Sequence, residues 1–327
     1  MAGRASLDDK LAAIRARRGR DPAPADEAAL RKYLGDRSNL VVAAAAVIVG
    51  ERGLAGLVAD LEADFDRFLV DPAKDDKLCR AKLAIVAALD RLEHRGAGVF
   101  LKAARHVQPE PAWGGPEDTA PPLRAAALVA LARVEGAGCL PLLVDALVDP
   151  ARDVRAAAAV ALGAVGTEGA VLALRLKARV GDADPDVLGE CLLGLLTAAP
   201  AEYLPIVAGF LDRADPAAGE AAALALGRSR LAEALEPLAA CWPRARSAEL
   251  RQHVLLAIAL LRRPAAIDHL AGLVAAEPEP VAIAALAALR IGRDDPRLRE
   301  RIAALVRDRA SGPIRAAFER DFGPGGA

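Results

Sequence analysis

The densest set of chemistry-bearing side chains lies in the stretch His106-Val107-Gln108-Pro109-Glu110-Pro111-Ala112-Trp113-Gly114-Gly115-Pro116-Glu117-Asp118-Thr119. His106, Glu110, Glu117 and Asp118 offer nitrogen and oxygen donors for a metal ion or for catalysis. No fixed ligand spacing orders them, and no second histidine lies nearby. Trp113 among polar neighbours (His106, Gln108, Glu110, Glu117, Asp118, with Arg124 just beyond) also has the composition of a recognition surface, where aromatic and arginine anchors carry binding energy. A third reading is structural, with Trp113 packed over a seam and Asp118 capping the next helix. Sequence leaves all three open.

Other reactive residue types are dispersed. Cys79, Cys139, Cys191 and Cys241 each fall in an apolar helical stretch, and none forms a closely spaced pair of the metal or redox kind. They read as buried free thiols in a reducing compartment. His94, His253 and His269 are scattered along helices. The sequence lacks a glycine-rich phosphate loop and a nucleophile elbow, because Gly163-Ala164-Val165-Gly166 ends a helix instead of opening one. No cofactor is expected. Lys and Arg number 43 against 44 Asp and Glu, so no general basic excess invites a polyanion. Arg15, Arg17, Arg18 and Arg20 read as a solvated helix end. The first twenty residues hold no apolar signal segment, and Leu40 to Val49 is too short to cross a bilayer. A cytoplasmic monomer without membrane contact is expected.

The elements that position the loop follow from a repeat. Asp149-Pro150-Ala151-Arg152-Asp153-Val154-Arg155 leads through Ala158 to Leu162-Gly163, and weaker copies recur. The positions equivalent to Val154 are Leu123, Val187, Ala218, Leu250, Val281 and Ile314, spaced 31 to 33 residues apart. Each unit holds two amphipathic helices, exemplified by Leu140, Leu143, Leu147 and by Val154, Ala158, Leu162. Gly163 and Gly227 suit left-handed caps at the ends of second helices. One such pair cannot bury its apolar faces alone, whereas a stack can. With 54% hydrophobic but only 3% aromatic residues, the chain suits many thin helix seams better than one globular core.

Upstream the period loosens. Leu40 and Cys79-Arg80 fit the same register, at steps of 39 and 44 residues. A long first helix over Leu54 to Leu69 accounts for the first excess, and the loop at 106–119, placed between the two helices of one repeat, accounts for the second. A separate helix over Leu7 to Arg18, with Ser6 as its cap, closes the apolar end of the array. The expected organisation is a capping helix and linker over 1–25, a repeat array over 26–322 with the inserted loop 106–119, and a disordered tail over 323–327.

The run from Asp149 to Gly163 resembles the HEAT repeat, including its bacterial lyase-type HEAT-like variant. The resemblance implies an all-α, right-handed α–α superhelix of about eight to nine HEAT-like repeats. It also implies a ladder in which repeat aspartates and arginines pair between neighbouring turns. Asp149 and Arg155 match, and Arg80, Arg124, Arg251 and Arg315 carry the arginine onward. Leu188, Gly219 and Ala282 interrupt it. HEAT-like solenoids also resemble families that include bilin lyases and alkylpurine DNA glycosylases. Neither activity has a signature here, since the net charge is −1 and the aromatics total two Trp, two Tyr and six Phe. The expected role is a non-catalytic scaffold for a protein or peptide, using the concave face of the second helices and the inserted loop. Binding residues are expected at His106, Gln108, Glu110, Trp113, Glu117, Asp118 and Arg124. An enzyme of HEAT-like type and a nucleic-acid module are the alternatives.

Overall fold

In the computed structural model, residues 6–19, 24–245, 247–309 and 311–323 are described. Arg20, the linker residues 21–23 and the tail beyond Gly323 lie outside them. The chain forms an all-α solenoid divided into two compact units, Met1–Val165 and Gly166–Ala327.

Unit 1 begins with α1 (Leu7–Arg15), α2 (Pro24–Leu34), α3 (Asn39–Glu51), α4 (Val58–Arg67), the single turn α5 (Pro72–Asp75) and α6 (Arg80–Arg91). It continues with α7 (Ala97–Ala104), a hairpin of β1 (Pro109–Ala112) and β2 (Gly115–Asp118), α8 (Pro121–Glu135), α9 (Leu140–Ala146) and α10 (Arg152–Val165). The second helices α3, α6, α8 and α10 pack side by side. Ser6 caps α1 in a reciprocal box with Asp9. That helix buries Ile14 and packs on α3. It stops at Arg15, one turn short of the expected end.

Unit 2 holds α11 (Glu168–Val180), α12 (Pro185–Ala198), α13 (Pro200–Ala208), α14 (Pro216–Ser229) and α15 (Leu235–Cys241). It continues with α16 (Ala248–Leu260), α17 (Pro264–Ala276), α18 (Glu279–Leu289), α19 (Pro296–Arg309) and α20 (Gly312–Phe322). Asp184 and Asp215 cap α12 and α14, each with Pro at the first helical position, where the missing N–H costs nothing.

Two local expectations need correction. Gly163 and Gly227 lie inside α10 and α14 and cap neither. A Cβ on Gly227 would lie 2.6 Å from Ala257 Cα, so this glycine lets α14 and α16 approach closely. The left-handed residues that end those helices are Gly166 and Arg230. The segment after Leu54 holds no long helix: α4 spans Val58–Arg67, and the surplus residues form α5 and a 3₁₀ turn, Lys77–Cys79. Pro121–Ala146 is long and apolar enough to cross a membrane by length and composition. Within it, however, Gly136 at φ 52° separates α8 from α9, and Arg124 in α8 is buried.

Candidate functional site

The inserted segment folds as a β-hairpin, paired from Pro109↔Asp118 to Ala112↔Gly115. Gly114 and Gly115 adopt φ of 106° and 130°, which only glycine reaches without strain, and they reverse the chain. Trp113 stands at the tip, fully exposed at 106%. It packs over no seam. Glu117 is also exposed, whereas His106 is half-buried and Gln108, Glu110 and Arg124 are buried. The hairpin thus separates its residues into a wet tip and a polar base.

The base locks onto the preceding repeat. Asp76 and Lys82 are both fully buried, 3.2 Å apart. Asp76 accepts hydrogen bonds from the Ala81 and Lys82 amides and from Asn39 Nδ2. Lys82 Nζ also donates to Gln108 Oε1 at 2.9 Å and to the Phe68 carbonyl at 3.3 Å. Gln108 Nε2 donates to the Asp76 carbonyl and to Glu110 Oε1. Glu110 Oε1 further accepts from the Leu78 amide at 2.6 Å and the Thr119 hydroxyl at 2.8 Å. A buried ion pair is tolerable only when its remaining donors and acceptors are satisfied, and here they are. The same contacts hold Leu78 and Cys79 at φ 59° and 52°, two successive left-handed residues with side chains. Such a backbone persists only where its surroundings over-determine it.

Ionisation follows this geometry. Burial pushes the Glu110 carboxyl up, but the Leu78 amide, the Gln108 amide, the Thr119 hydroxyl and the Lys77 charge outweigh it and hold it below the ordinary value. Asp118 is likewise held low against burial, by the Gln108 amide, Arg124 and the Ala120 amide. Burial, with the Lys82 charge, lowers His106 despite its bond to Gln108. It is therefore neutral near pH 7 and donates from Nε2 to Gln108 Oε1 at 3.0 Å. Burial raises the Cys79 thiol to about 11 and the Cys191 thiol to about 12, so neither is a nucleophile at neutral pH. Among the described residues, no group of three or more His, Cys, Asp or Glu is placed to hold a metal ion.

The ladder shows where the upstream register lies. Arg124 bridges Asp118, at 2.6 Å, and Asp149, through two bonds of 3.0 and 3.1 Å, and donates to the His106 carbonyl. Asp118 precedes Arg124 by six residues, Asp149 precedes Arg155 by six, and Asp76 precedes Lys82 by six. Lys82 is thus the ladder cation of its repeat, and Arg80 points to solvent. The equivalents of Val154 are Ala81 and Val41, displaced from the expected Cys79 and Leu40. The Asp-x5-Lys spacing was present in the sequence, but a search for arginine passes over it.

A second surface is apolar over the middle turns of its helices, beyond the exposed Arg80, Arg152 and Asp153 in the first turns of α6 and α10. The outward positions of the second helices in unit 1 are Ala43, Ala44 and Val47, then Leu83, Ala84 and Ala87, then Ala125, Ala126 and Val129, and last Ala156, Ala157 and Val160. Val47, Val129 and Val160 are 39%, 42% and 41% exposed. The helices neighbour one another in that order, so these residues form one apolar floor. It ends at a charged rim, where Arg91 faces Glu51 and Arg133 pairs with Asp90.

Residues 116–176, from β2 to the middle of α11, match the family model described as HEAT repeats. That stretch of the chain is built of HEAT repeats. The match begins inside the hairpin, so the ladder joining Asp118, Arg124 and Asp149 belongs to the HEAT core. No curated protein matches the chain. Similar solved structures include human deoxyhypusine hydroxylase with glycerol, at 19% identity, TM-score 0.31, over 79% of this chain and 92% of that one. They also include the complex of CpcE and CpcF of phycocyanin lyase from Nostoc sp. PCC7120, at 19% identity, TM-score 0.39, over 72% and 91%. An engineered protein matches at 16% identity, TM-score 0.37, over 89% and 86%. At these scores, the activities named for those proteins stay with them.

Proposed function

We propose that this HEAT protein is a non-catalytic scaffold that holds an apolar segment of a protein or peptide. In this reading residues 26–322 form the working array, 1–25 close its end, and the chain acts as a cytoplasmic monomer. The observation that carries the reading is the apolar floor on α3, α6, α8 and α10. Monomeric proteins rarely leave a contiguous apolar surface of this kind without a use for it. Neighbouring second helices at a common register are how HEAT-type repeats present an extended surface. The hairpin is the second element of the proposal. It enters at the N-terminal edge of α8, and its buried base gives Trp113 a rigid mount. His106, Gln108, Glu110, Asp118 and Arg124 act as that mount, while Trp113 and Glu117 make contact. A rigid aromatic anchor loses little entropy on binding.

Selection of displayed random peptides on the intact chain tests this. Apolar peptides are expected to enrich, and Val129→Glu with Val160→Glu to weaken them at least tenfold. Leu256→Glu, on the corresponding face of unit 2, should leave them unchanged. Enrichment of peptides indifferent to both unit 1 substitutions would overturn the reading.

A further inference from the structure

Unit 2 carries a different kind of site, independent of the apolar floor. Arg175 and Arg179 on α11 and Arg213, just beyond the 3₁₀ turn that follows α13, line one groove of about 480 Å³ with Pro205, Ile206 and Phe210. That volume suits a small organic ligand, for which sites are about 300–1,000 Å³. No carboxylate lines it. None of the three arginines has a carboxylate partner among the described residues. Other arginines of unit 2 do: Arg228 pairs with Glu190, and Arg301 with Asp268.

Two of the three guanidiniums are instead oriented by aromatic rings. Arg213 lies 3.6 Å over the Phe210 ring and Arg175 lies 6.0 Å from the Tyr203 ring centre. Both rings are buried, at 4% and 2% exposure. Stacking fixes the plane of a guanidinium without consuming its N–H donors. The α11 dipole favours a cation at Arg179 in its last turn. It gives no reason for Arg213 on the facing element, nor for Arg175 one turn earlier, where like charges at i and i+4 repel.

We infer that this groove binds a phosphate monoester carried on an apolar body. A carboxylate fills one arginine fork. A phosphate dianion presents three acceptor oxygens and nearly two charges, enough to engage several forks at once. Ala178, Leu195, Pro205 and Ile206 give the remainder of such a ligand an apolar wall. The ester can reach the groove as a free small molecule or as a phosphorylated side chain, and both share this chemistry.

Titration calorimetry of the intact protein with phenyl phosphate, benzoate and a short phosphotyrosine peptide tests the assignment. Phenyl phosphate should bind at least tenfold more tightly than benzoate, and more weakly as salt rises. Arg175→Gln and Arg213→Gln should each weaken it at least tenfold, with helicity by circular dichroism retained. Arg228→Gln, outside the groove, should leave binding unchanged. A peptide tighter than phenyl phosphate marks a side-chain source, and equal affinity marks a free ester. Equal binding of benzoate and phenyl phosphate would overturn the inference. So would indifference to Arg175→Gln and Arg213→Gln, or an equal loss in Arg228→Gln.

Discussion

The second helices of the two units share one architecture and present opposite surfaces. In unit 1 the positions two and three residues after Val41, Ala81, Leu123 and Val154 are Ala43/Ala44, Leu83/Ala84, Ala125/Ala126 and Ala156/Ala157. In unit 2 the corresponding pairs from α12 to α18 are Gly189/Glu190, Glu220/Ala221, Gln252/His253 and Ile283/Ala284. There Glu190 pairs with Arg228, and Glu220 lies 3.6 Å from His253. The inner lattice differs too. Unit 1 keeps a cation six residues after Asp76, Asp118 and Asp149, whereas unit 2 has Leu188, Gly219 and Ala282 at three of its five ladder positions and keeps the arginine only at Arg251 and Arg315. The repeat therefore fixes the stack, while a few outward residues per helix fix what the stack can hold.

The contrast breaks most sharply at the ladder. Lys82→Met leaves Asp76 buried and uncompensated, which costs about 3–5 kcal/mol. The thermal midpoint should fall steeply, with hydrogen-exchange protection lost first at the Leu78 and Thr119 amides. Retained protection there would show that the hairpin does not depend on the buried pair. In unit 2 the equivalent stress is steric. Gly227→Ala drives a methyl to 2.6 Å from Ala257 Cα and should cost about 1–3 kcal/mol despite alanine's better helix propensity. A neutral or stabilising result would mean that α14 and α16 separate freely.

A smaller effect is titratable. The folded values of His106, Glu110 and Asp118 all lie below their ordinary ones. Each therefore adds stability that is fully present above its unfolded value and lost as pH falls through its folded value. Chemical denaturation should show unit 1 weakening from about pH 6.5 downward as His106 must charge, then further below about pH 4.3 as the carboxylates protonate. In His106→Gln the first phase should vanish and the second persist. The smallest effect on stability belongs to Trp113→Ala, within about 0.5 kcal/mol, because the side chain is fully exposed. Its effect should appear in partner affinity alone, and a large fall in melting temperature would identify a structural staple instead.

The stack was legible because period and amphipathic spacing survive in nearly every repeat, and the Ser6 cap because its hydroxyl reaches a known amide. The hairpin was legible only as a break. Three prolines and two glycines exclude a helix, yet Pro109 to Ala112 has no alternating pattern to announce a strand. Gly163 and Gly227 misled for a physical reason, since glycine near a helix end serves a left-handed cap or a close helix contact equally well. The apolar floor was invisible in composition because alanine is counted as core wherever it lies. Only the fold separates outward Ala125 from buried Ala127.

Photo-cross-linking in native lysate separates the two surfaces most directly, with the reactive residue placed at position 129 in one sample and at position 256 in another. Discrete protein or peptide adducts are expected at 129, lost when Val160→Glu is added, and none above background at 256. Adducts of equal yield at both positions, or at 256 alone, would contradict the scaffold reading.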